Sequence, residues 1–276
     1  MSRGLQKKRV ILRLVMTPTD KSITRTAARP LLKQVENITL REQVTQSVRS
    51  ALMNGHFQPG QSITVKLISQ MLGASVMPAR EAMNRLIAEG ALELRANRTV
   101  IVPILSRSEF DELTDLRCHI EGLAAAQAVA HVTAQDLVRL RDINQAMHAS
   151  SRRGDVDAYL DENFQFHFLI YRLGASAFML SIIENLWVRV GPLIRSCLNS
   201  TGYADSSRLH AQIIEALAAA NQVDLRKAIA DDLSVAAQTI RQVQTERSAA
   251  LPGPDQAAGK KGSSQKVKDH GHGVWN

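Results

Sequence analysis

Residues 72–86 read Leu72-Gly73-Ala74-Ser75-Val76-Met77-Pro78-Ala79-Arg80-Glu81-Ala82-Met83-Asn84-Arg85-Leu86. Gly73 ends a helical pattern over about 64–72, because glycine readily takes the left-handed conformation that closes a helix. A second helix is predicted over about 76–89, with either Ser75 as its N-cap or Pro78 as its first helical residue. Two short helices joined by a tight turn are typical of a helix-turn-helix.

The flanks of this stretch complete a larger unit. A helix is predicted over about 39–54, because apolar residues recur at every fourth position behind the candidate N-cap Thr39. Beyond the second helix of the turn, Leu92/Leu94 and Val100/Val102 alternate with polar residues across a turn at Ala96-Asn97, as the strands of a hairpin do. This order predicts a winged helix-turn-helix, a fold that reads DNA.

The remainder of the chain has the composition and periodicity of packed helices. Aromatic residues make up 4% of the sequence, and small and aliphatic residues dominate the apolar share. Helices are predicted over about 108–130, 134–153, 155–173, 176–199, 206–220 and 223–246. The predicted fold class is therefore mainly α, with an N-terminal winged helix-turn-helix followed by an all-α helical bundle.

Composition divides the 276 residues into four parts. Residues 1–37 are predicted to form a disordered basic arm, since residues 1–40 carry nine Lys and Arg against two acidic residues. A DNA-binding domain over 38–105 and an all-helical effector-binding and dimerisation domain over 106–247 follow. Residues 248–276 are rich in Gly, Pro, Lys and Ser and are predicted to be a disordered tail.

The cysteines and the apolar runs indicate the cellular compartment of the protein. Cys118 and Cys197 lie inside helical patterns without paired spacing, which indicates two reduced thiols in the core of a cytoplasmic protein. The longest apolar run, 123–130, is far shorter than the roughly 20 residues of a membrane span. We therefore expect no membrane partner and no signal peptide.

The sequence resembles the GntR family of bacterial transcription regulators, in its FadR subfamily with a C-terminal all-helical FCD domain. The resemblance covers about 38–245. Its N-terminal motifs are 54–60, 72–75, 78–82 and 86–90 with the hairpin, and its C-terminal motifs are 116–121, Phe166-His167 and the region of His210. It implies a homodimer that binds double-stranded operator DNA and responds to a small carboxylate effector.

Six residues are predicted to meet DNA, because the first turns of a recognition helix face base edges and phosphates and a wing reaches the neighbouring groove. By resemblance, Lys66 stands where relatives often carry Arg, and Arg80 stands on an Arg typical of the family. The alternative is that these charges are solvated helix charges, which is most plausible for Arg85. The six candidates are Lys66, Ser75, Met77, Arg80, Arg85 and Arg98.

Two positions depart from the pattern of the family. Many relatives have Arg-Thr where this chain has Val76-Met77. Val76 cannot donate a hydrogen bond, so one contact is either missing or replaced by apolar contact with a thymine methyl group. The wing position usually held by Gly is Thr99, which predicts a backbone further from DNA. Both departures indicate an unusual operator or a weaker affinity.

A metal site is implied by the same resemblance. Asn163 and His167 lie four residues apart, so they share a helix face. In FCD relatives an Asp and a His at this spacing, with two later His, hold a divalent metal; here those later positions are His210 and Asp232. The set suits Zn, Ni or Mn. The alternative is that the two histidines are hydrogen-bonded residues of the core.

Arg117 and Glu121 are the effector-binding candidates. In relatives an Arg at the position of Arg117 can point into the pocket and bind a carboxylate, and a buried Arg facing a metal would recognise a small organic acid from both sides. The alternative is an intrahelical Arg117–Glu121 pair, since the two residues lie one turn apart.

Three functions are compatible with these patterns. The first is a homodimeric transcription regulator, more commonly a repressor in this family, whose operator affinity a small acid controls. The second is a ligand-blind DNA-binding protein whose helical domain serves dimerisation alone. The third is a metal-dependent enzyme, which lacks a positioned general base beyond the metal ligands and leaves the N-terminal motif unexplained. We expect no enzymatic activity.

Overall fold

The computed structural model describes residues 39–198 and 203–250. The predicted disordered arm, 1–37, and all but the first residues of the predicted tail, 248–276, lie outside the described residues. The helices are α1 Leu40–Met53, α2 Val65–Leu72, α3 Val76–Ala88, α4 Arg107–Ala128, α5 Ala134–Arg153, α6 Val156–Gly174, α7 Ala177–Leu198, α8 Tyr203–Ala218 and α9 Gln222–Ala250; the strands are β1 Glu93–Leu94 and β2 Val100–Ile101.

The head, residues 39–102, begins at a capped helix. Thr39 and Glu42 form a capping box at the start of α1, which satisfies two backbone N–H groups that the helix leaves open. Gly73 closes α2 in the left-handed conformation, at a φ of 60°. At the start of α3 the N-cap is Ser75, without a side-chain cap bond, and Pro78 is the third helical residue rather than the first.

The wing is shorter than its sequence pattern suggests. β1 and β2 pair antiparallel, with Glu93 opposite Ile101 and Leu94 opposite Val100. The turn lies at Ala96-Asn97 as predicted, because Arg98 N–H donates to Arg95 O and Arg95 N–H donates to Thr99 O. The left-handed residue of this turn is Arg98, at a φ of 63°, and not Thr99.

The body, residues 106–250, is an all-helical bundle. Capping boxes start α4 at Ser106 with Glu109 and α5 at Thr133 with Asp136, and Gly154 ends α5 in the left-handed conformation. α4 packs against α6, α7 and α9, while α5 packs against α6 and α8. This arrangement leaves α4, α6, α7, α8 and α9 around a common interior, where the polar residues described below are buried.

The head docks on the body through a close backbone approach between α1 and α7. A Cβ atom added to Gly191 would lie 2.3 Å from the Leu52 carbonyl oxygen and 2.5 Å from that of Met53. One added to Gly55 would lie 2.7 Å from the Gly191 carbonyl oxygen. Glycine at both positions therefore allows two backbones to touch where any side chain would separate them.

Polar contacts surround this approach. Asn54 Nδ2 donates to Asp161 Oδ1 over 2.7 Å, and the Arg195 guanidinium bonds both the Gly55 carbonyl and the Asp157 carboxylate. The hydrogen bond from Arg195 lowers the pKa of the Asp157 carboxyl below its ordinary value. The end of the head nearest α7 is thus held by both packing and charge.

α7 is the one described helix long and apolar enough to cross a membrane by length and composition. Its buried residues, among them Ile183, Trp187 and Leu193, belong to the two hydrophobic clusters of the protein. It also contacts α1, α4, α6 and α9. These contacts make α7 a core helix of the bundle.

Candidate functional site

Helix α3, the predicted recognition helix, presents one face to solvent and buries the other. Ala79, Ala82, Met83 and Leu86 are buried and fix the helix on α1. The opposite face is exposed and carries Arg80. Lys66, Ser75, Met77 and Arg98, predicted to meet DNA, are also exposed on the head. Their roles stay predictions.

Arg85 differs from Arg80 in its surroundings. Arg85 Nε donates to Glu89 Oε1 over 3.0 Å, one turn along the helix. Glu89 is also paired with Arg49 of α1, and its backbone carbonyl accepts from Arg189 of α7 over 3.4 Å. These contacts favour the alternative for Arg85, a charge that holds the end of α3 in place.

The body encloses a small cavity of about 70 Å³. This space suits a hydrated ion or an acid of a few atoms, and it is well below the roughly 300–1,000 Å³ typical of drug-sized ligands. Arg117, Asn163, His167 and Asp232 lie on its wall, so one side of the cavity is polar. The rest of the wall is mostly apolar and includes Trp187, Ile194, Cys197, Leu198, Leu209 and Leu233.

His167, His210 and Asp232 meet beside the cavity, although α6, α8 and α9 supply them separately. His167 Nε2 lies 3.4 Å from Asp232 Oδ2, and His210 Nε2 lies 3.5 Å from Asp232 Oδ1. One potential ligand atom from each residue lies within 4.8 Å of the other two. Two imidazoles and a carboxylate at these separations can converge on one divalent ion. Asn163 lines the same cavity.

A hydrogen-bond chain orients the His167 ring. Tyr171 Oη donates to Glu121 Oε2 over 2.6 Å. Because its one proton is used there, Tyr171 Oη is the acceptor for His167 Nδ1, 3.1 Å away. Nδ1 of His167 is thereby held on Tyr171, and Nε2 is the ring nitrogen that faces Asp232. These two atoms, Nε2 of His167 and Oδ2 of Asp232, lie 3.4 Å apart and can share a proton or a cation.

Burial controls the ionisation of this cluster. It lowers the pKa of His210 to about 4, because the ring lies in the interior and the attraction of Asp232 compensates only in part. Burial alone would raise the pKa of Asp232, but His210 and His167 outweigh it and hold that pKa below its ordinary value. A neutral imidazole beside an ionised carboxylate is the protonation pattern that a metal ion needs.

The effector candidates form the intrahelical pair that the sequence left as an alternative. Arg117 Nε and Nη2 donate to the two oxygens of Glu121 over 2.6 Å and 3.2 Å. Glu121 also accepts from Trp187 Nε1 over 3.0 Å, and it is not among the residues of the cavity wall. Arg117 is on that wall, so the pair contributes one residue to the cavity and one residue behind it.

Sequence reasoning missed the partners of Glu121. Tyr171 lies four residues after His167, so helical periodicity alone could have placed both on one face. Trp187 gives no such signal, because its contact with Glu121 spans 66 residues. Cys118 and Cys197 are thiols rather than disulfide partners among the described residues, and burial raises the pKa of the Cys118 thiol.

Comparison with known proteins assigns each half of the chain to a known domain family. A profile described as bacterial regulatory proteins, gntR family, matches residues 40–102, and the FCD domain profile matches residues 112–234. The HTH-type transcriptional regulator McbR of Escherichia coli (strain K12) is 30% identical over 159 residues, which are 58% of this chain and 72% of that relative. The chain belongs to the gntR family. It is a DNA-binding transcription regulator with an FCD domain.

Two further comparisons agree with this assignment. The solved structure of E. coli McbR/YncC superimposes with a TM-score of 0.68 at 26% identity, over 76% of this chain and all of that one. The HTH-type transcriptional repressor RspR of E. coli (strain K12) is 22% identical over 208 residues, 75% of this chain and 91% of that relative. The predictions of the family, the mainly α fold and a regulator rather than an enzyme are confirmed.

Proposed function

We propose that this gntR protein is a cytoplasmic homodimeric repressor whose affinity for its operator is lowered by a small organic acid bound in the FCD domain. A divalent metal, Zn, Ni or Mn, completes the acid site. The observation that carries the proposal is that α7 forms part of the cavity wall and also the surface on which the head docks. Repression is supported by a relative, RspR, that is named a repressor.

The DNA side of the proposal rests on the exposed face of the head. Lys66, Ser75, Met77 and Arg80 would meet one major-groove half-site, and Arg98 would reach the neighbouring minor groove or backbone. Arg85 would contribute mainly by positioning α3, because Glu89 already holds its guanidinium. A two-fold dimer doubles this contact area and matches a palindromic operator.

The metal side rests on the chemistry of the donors. Among the described residues, neither ring nitrogen of buried His210 has a hydrogen-bond partner, which is costly unless a ligand supplies one. His167, His210 and Asp232 would hold the ion, and the side-chain oxygen of Asn163 is the fourth candidate. A bound metal supplies a positive charge that attracts a carboxylate oxygen.

The acid site would use Arg117 opposite that metal. Glu121 accepts from Nε and Nη2 of the guanidinium, and Arg117 lies on the cavity wall. A guanidinium on the wall of a cavity of about 70 Å³ favours an acid of few atoms. Arg117 also lies over the Trp187 ring, 4.9 Å from its centroid, so a ligand that moves Arg117 acts directly on α7.

α7 provides the physical route from ligand to DNA. Trp187, Ile194 and Cys197 face the cavity, while Arg189, Gly191 and Arg195 contact the head. A small shift of α7 would therefore carry the head with it and change the spacing of the two recognition helices. Because binding is linked, an acid that favours the shifted form weakens operator binding, and operator DNA weakens acid binding equally.

The metal is tested on the purified full-length chain. We expect close to one divalent ion per chain by elemental analysis, and a lower Tm after chelation that Zn, Ni or Mn restores. His210→Ala should lose the ion and the response to chelator. His119→Ala is the matched control, because His119 is exposed on α4 and should keep both. A wild-type chain without ion that ignores added metal would refute the site.

The acid is tested on the metal-loaded chain with a panel of two- to six-carbon mono- and dicarboxylates. We expect at least one to raise the Tm and to weaken binding to a duplex selected from a random library by the same chain. If a duplex is selected but no acid changes Tm or affinity, the protein is the ligand-blind DNA binder. A chain that selects no duplex contradicts the operator-binding part itself.

A further inference from the structure

The first turn of α3 exposes two large apolar side chains at the place where a recognition helix meets bases. We propose that Val76 and Met77 read the C5-methyl groups of thymines, so that part of the operator sequence is recognised by apolar contact rather than by hydrogen bonds. This inference deepens the proposed function and depends on operator binding by α3. It does not depend on the metal or on the acid.

Four large apolar side chains near the turn between α2 and α3 are exposed. Val76 is 51% exposed and Met77 is 62% exposed, and Met71 and Leu72, just before the turn, are 59% and 39% exposed. A cluster of exposed apolar residues on one small unit marks a surface that another molecule covers. α3 has its own buried face, formed by Ala79, Ala82, Met83 and Leu86, so Val76 and Met77 are not needed for packing the head.

The position of Val76 and Met77 indicates which kind of molecule covers them. Val76, Arg80 and Asn84 are four residues apart along α3, so they form one line on its exposed side. Side chains in a helix lean toward its N-terminus, so Arg80 extends over the turn that holds Val76 and Met77. A cation next to an apolar pair suits the major groove, where phosphates and base edges adjoin methyl groups.

The chemistry of this turn excludes other modes of base reading by the same residues. The side chains of Val76 and Met77 cannot donate hydrogen bonds, and Pro78 lacks a backbone N–H. Ser75 makes no side-chain bond to the helix start, so its hydroxyl group is left for DNA. Thymine is the base that offers an apolar group in the major groove. Apolar contact with its methyl group is therefore the base readout that the side chains of Val76 and Met77 can supply.

The test starts from a duplex that the full-length chain selects from a random library. Each thymine of that duplex is replaced in turn by uracil, which removes the methyl group and keeps the pairing and the O4 acceptor. We expect at least one thymine per half-site whose replacement weakens binding about fourfold, the value of burying one methyl-sized group. Val76→Ala or Met77→Ala should bind the thymine duplex more weakly and no longer distinguish thymine from uracil.

Controls separate this inference from operator binding as such. Val223→Ala changes another exposed valine, 76% exposed at the start of α9, and should leave the thymine preference intact. Because Val76 and Met77 are exposed, all three variants should keep the wild-type Tm. If a duplex is selected but every uracil replacement binds equally, methyl reading is refuted while operator binding stands. A preference that survives in both Val76→Ala and Met77→Ala refutes the assignment to these residues, and failure to select any duplex removes the proposed function with it.

Discussion

Glu121 is a buried carboxylate that accepts hydrogen bonds from three side chains, Arg117, Tyr171 and Trp187. Its charge compensates that of Arg117 and raises the pKa of this guanidinium, although burial opposes the charge. Burial and the adjacent carboxylate also raise the pKa of Tyr171, which therefore stays a donor. The residue connects α4, α6 and α7 and, through Tyr171, orients the ring of His167.

Replacing Glu121 by Gln should be among the most destabilising conservative changes in the body. The amide keeps the shape but leaves the buried Arg117 charge uncompensated, and breaking a buried pair in this way costs about 3–5 kcal/mol. Urea unfolding measures the loss. Glu112→Gln is the control, because Glu112 lies exposed on the same helix and should change stability by less than about 0.5 kcal/mol. Equal effects would show that the Glu121 network contributes little.

Arg80 and Arg85 should differ in their contribution to DNA binding. Arg80→Ala should weaken binding to the selected duplex by about tenfold or more, the range expected for a direct base contact. Arg85→Ala should weaken it by less than about threefold, because its guanidinium is bound to Glu89. Fluorescence anisotropy at one fixed salt concentration compares the two. A larger loss for Arg85→Ala would reverse the assignment.

The pKa of His210, lowered to about 4, predicts a dependence of stability on pH in chelator-treated protein. An unfolded His binds a proton near pH 6.5, whereas folded His210 does not until about pH 4, so stability falls as the pH is lowered between these values. From pH 7.5 to 5.5 this residue alone should cost about 1 kcal/mol. His210→Phe keeps the ring stack on Phe166. Between the same two pH values, its free energy of unfolding, measured with urea, should fall by about 1 kcal/mol less than that of the wild type. Identical losses in both proteins would contradict the lowered pKa.

At the scale of elements, the wing contains a residue in an unfavourable conformation. Arg98 has a φ of 63° at the end of a three-residue hairpin loop, a position that favours glycine. Arg98→Gly should raise the free energy of unfolding by about 0.5–1 kcal/mol and should weaken DNA binding, because the guanidinium is lost. Arg98→Asn, which removes the charge but tolerates this conformation, separates the two effects. Destabilisation by Arg98→Gly would show that the loop is not strained.

Helix boundaries were the most predictable part of the structure. The predicted helix over 134–153 coincides with α5, because a capping box and a closing glycine mark both of its ends. The wing was less predictable: Leu94 is 55% exposed and Ile101 is buried, so the apolar alternation did not identify the buried face of these two-residue strands. Short strands take their pairing from the turn and from neighbours, and here Ser62 adds a bridge to Ile101.

The residues of the candidate site could be predicted from the sequence, but their hydrogen-bond partners could not. His167, His210 and Asp232 followed from the resemblance to the family, and the structure brings them together. Their hydrogen-bond partners depend on how α4, α6 and α7 pack, which no local pattern encodes. The same holds for Gly191, whose neighbours in space lie more than 100 residues away along the chain.

At the scale of the whole molecule, Gly191 and Gly122 form a matched pair in the middle of long helices. Gly191→Ala should destabilise the protein by about 2 kcal/mol or more, because the new methyl group would press on the Leu52 and Met53 carbonyls. Gly122→Ala should stabilise it by up to about 1 kcal/mol, because its nearest neighbour atom is 3.7 Å away and alanine favours helices. Urea unfolding of both variants tests this. Stabilisation by both changes would show that head and body do not touch at Gly191.

The contact at Gly191 also decides how chimeric biosensors can be made from this protein. A designer would naturally cut the chain near residue 105 and exchange everything before it. That cut would take the two sides of one close contact from different proteins. The Leu52 carbonyl would come from one parent and Gly191, which packs against it, from the other. A functional hybrid has to transplant the middle of α7 together with the head, as a single discontinuous cassette.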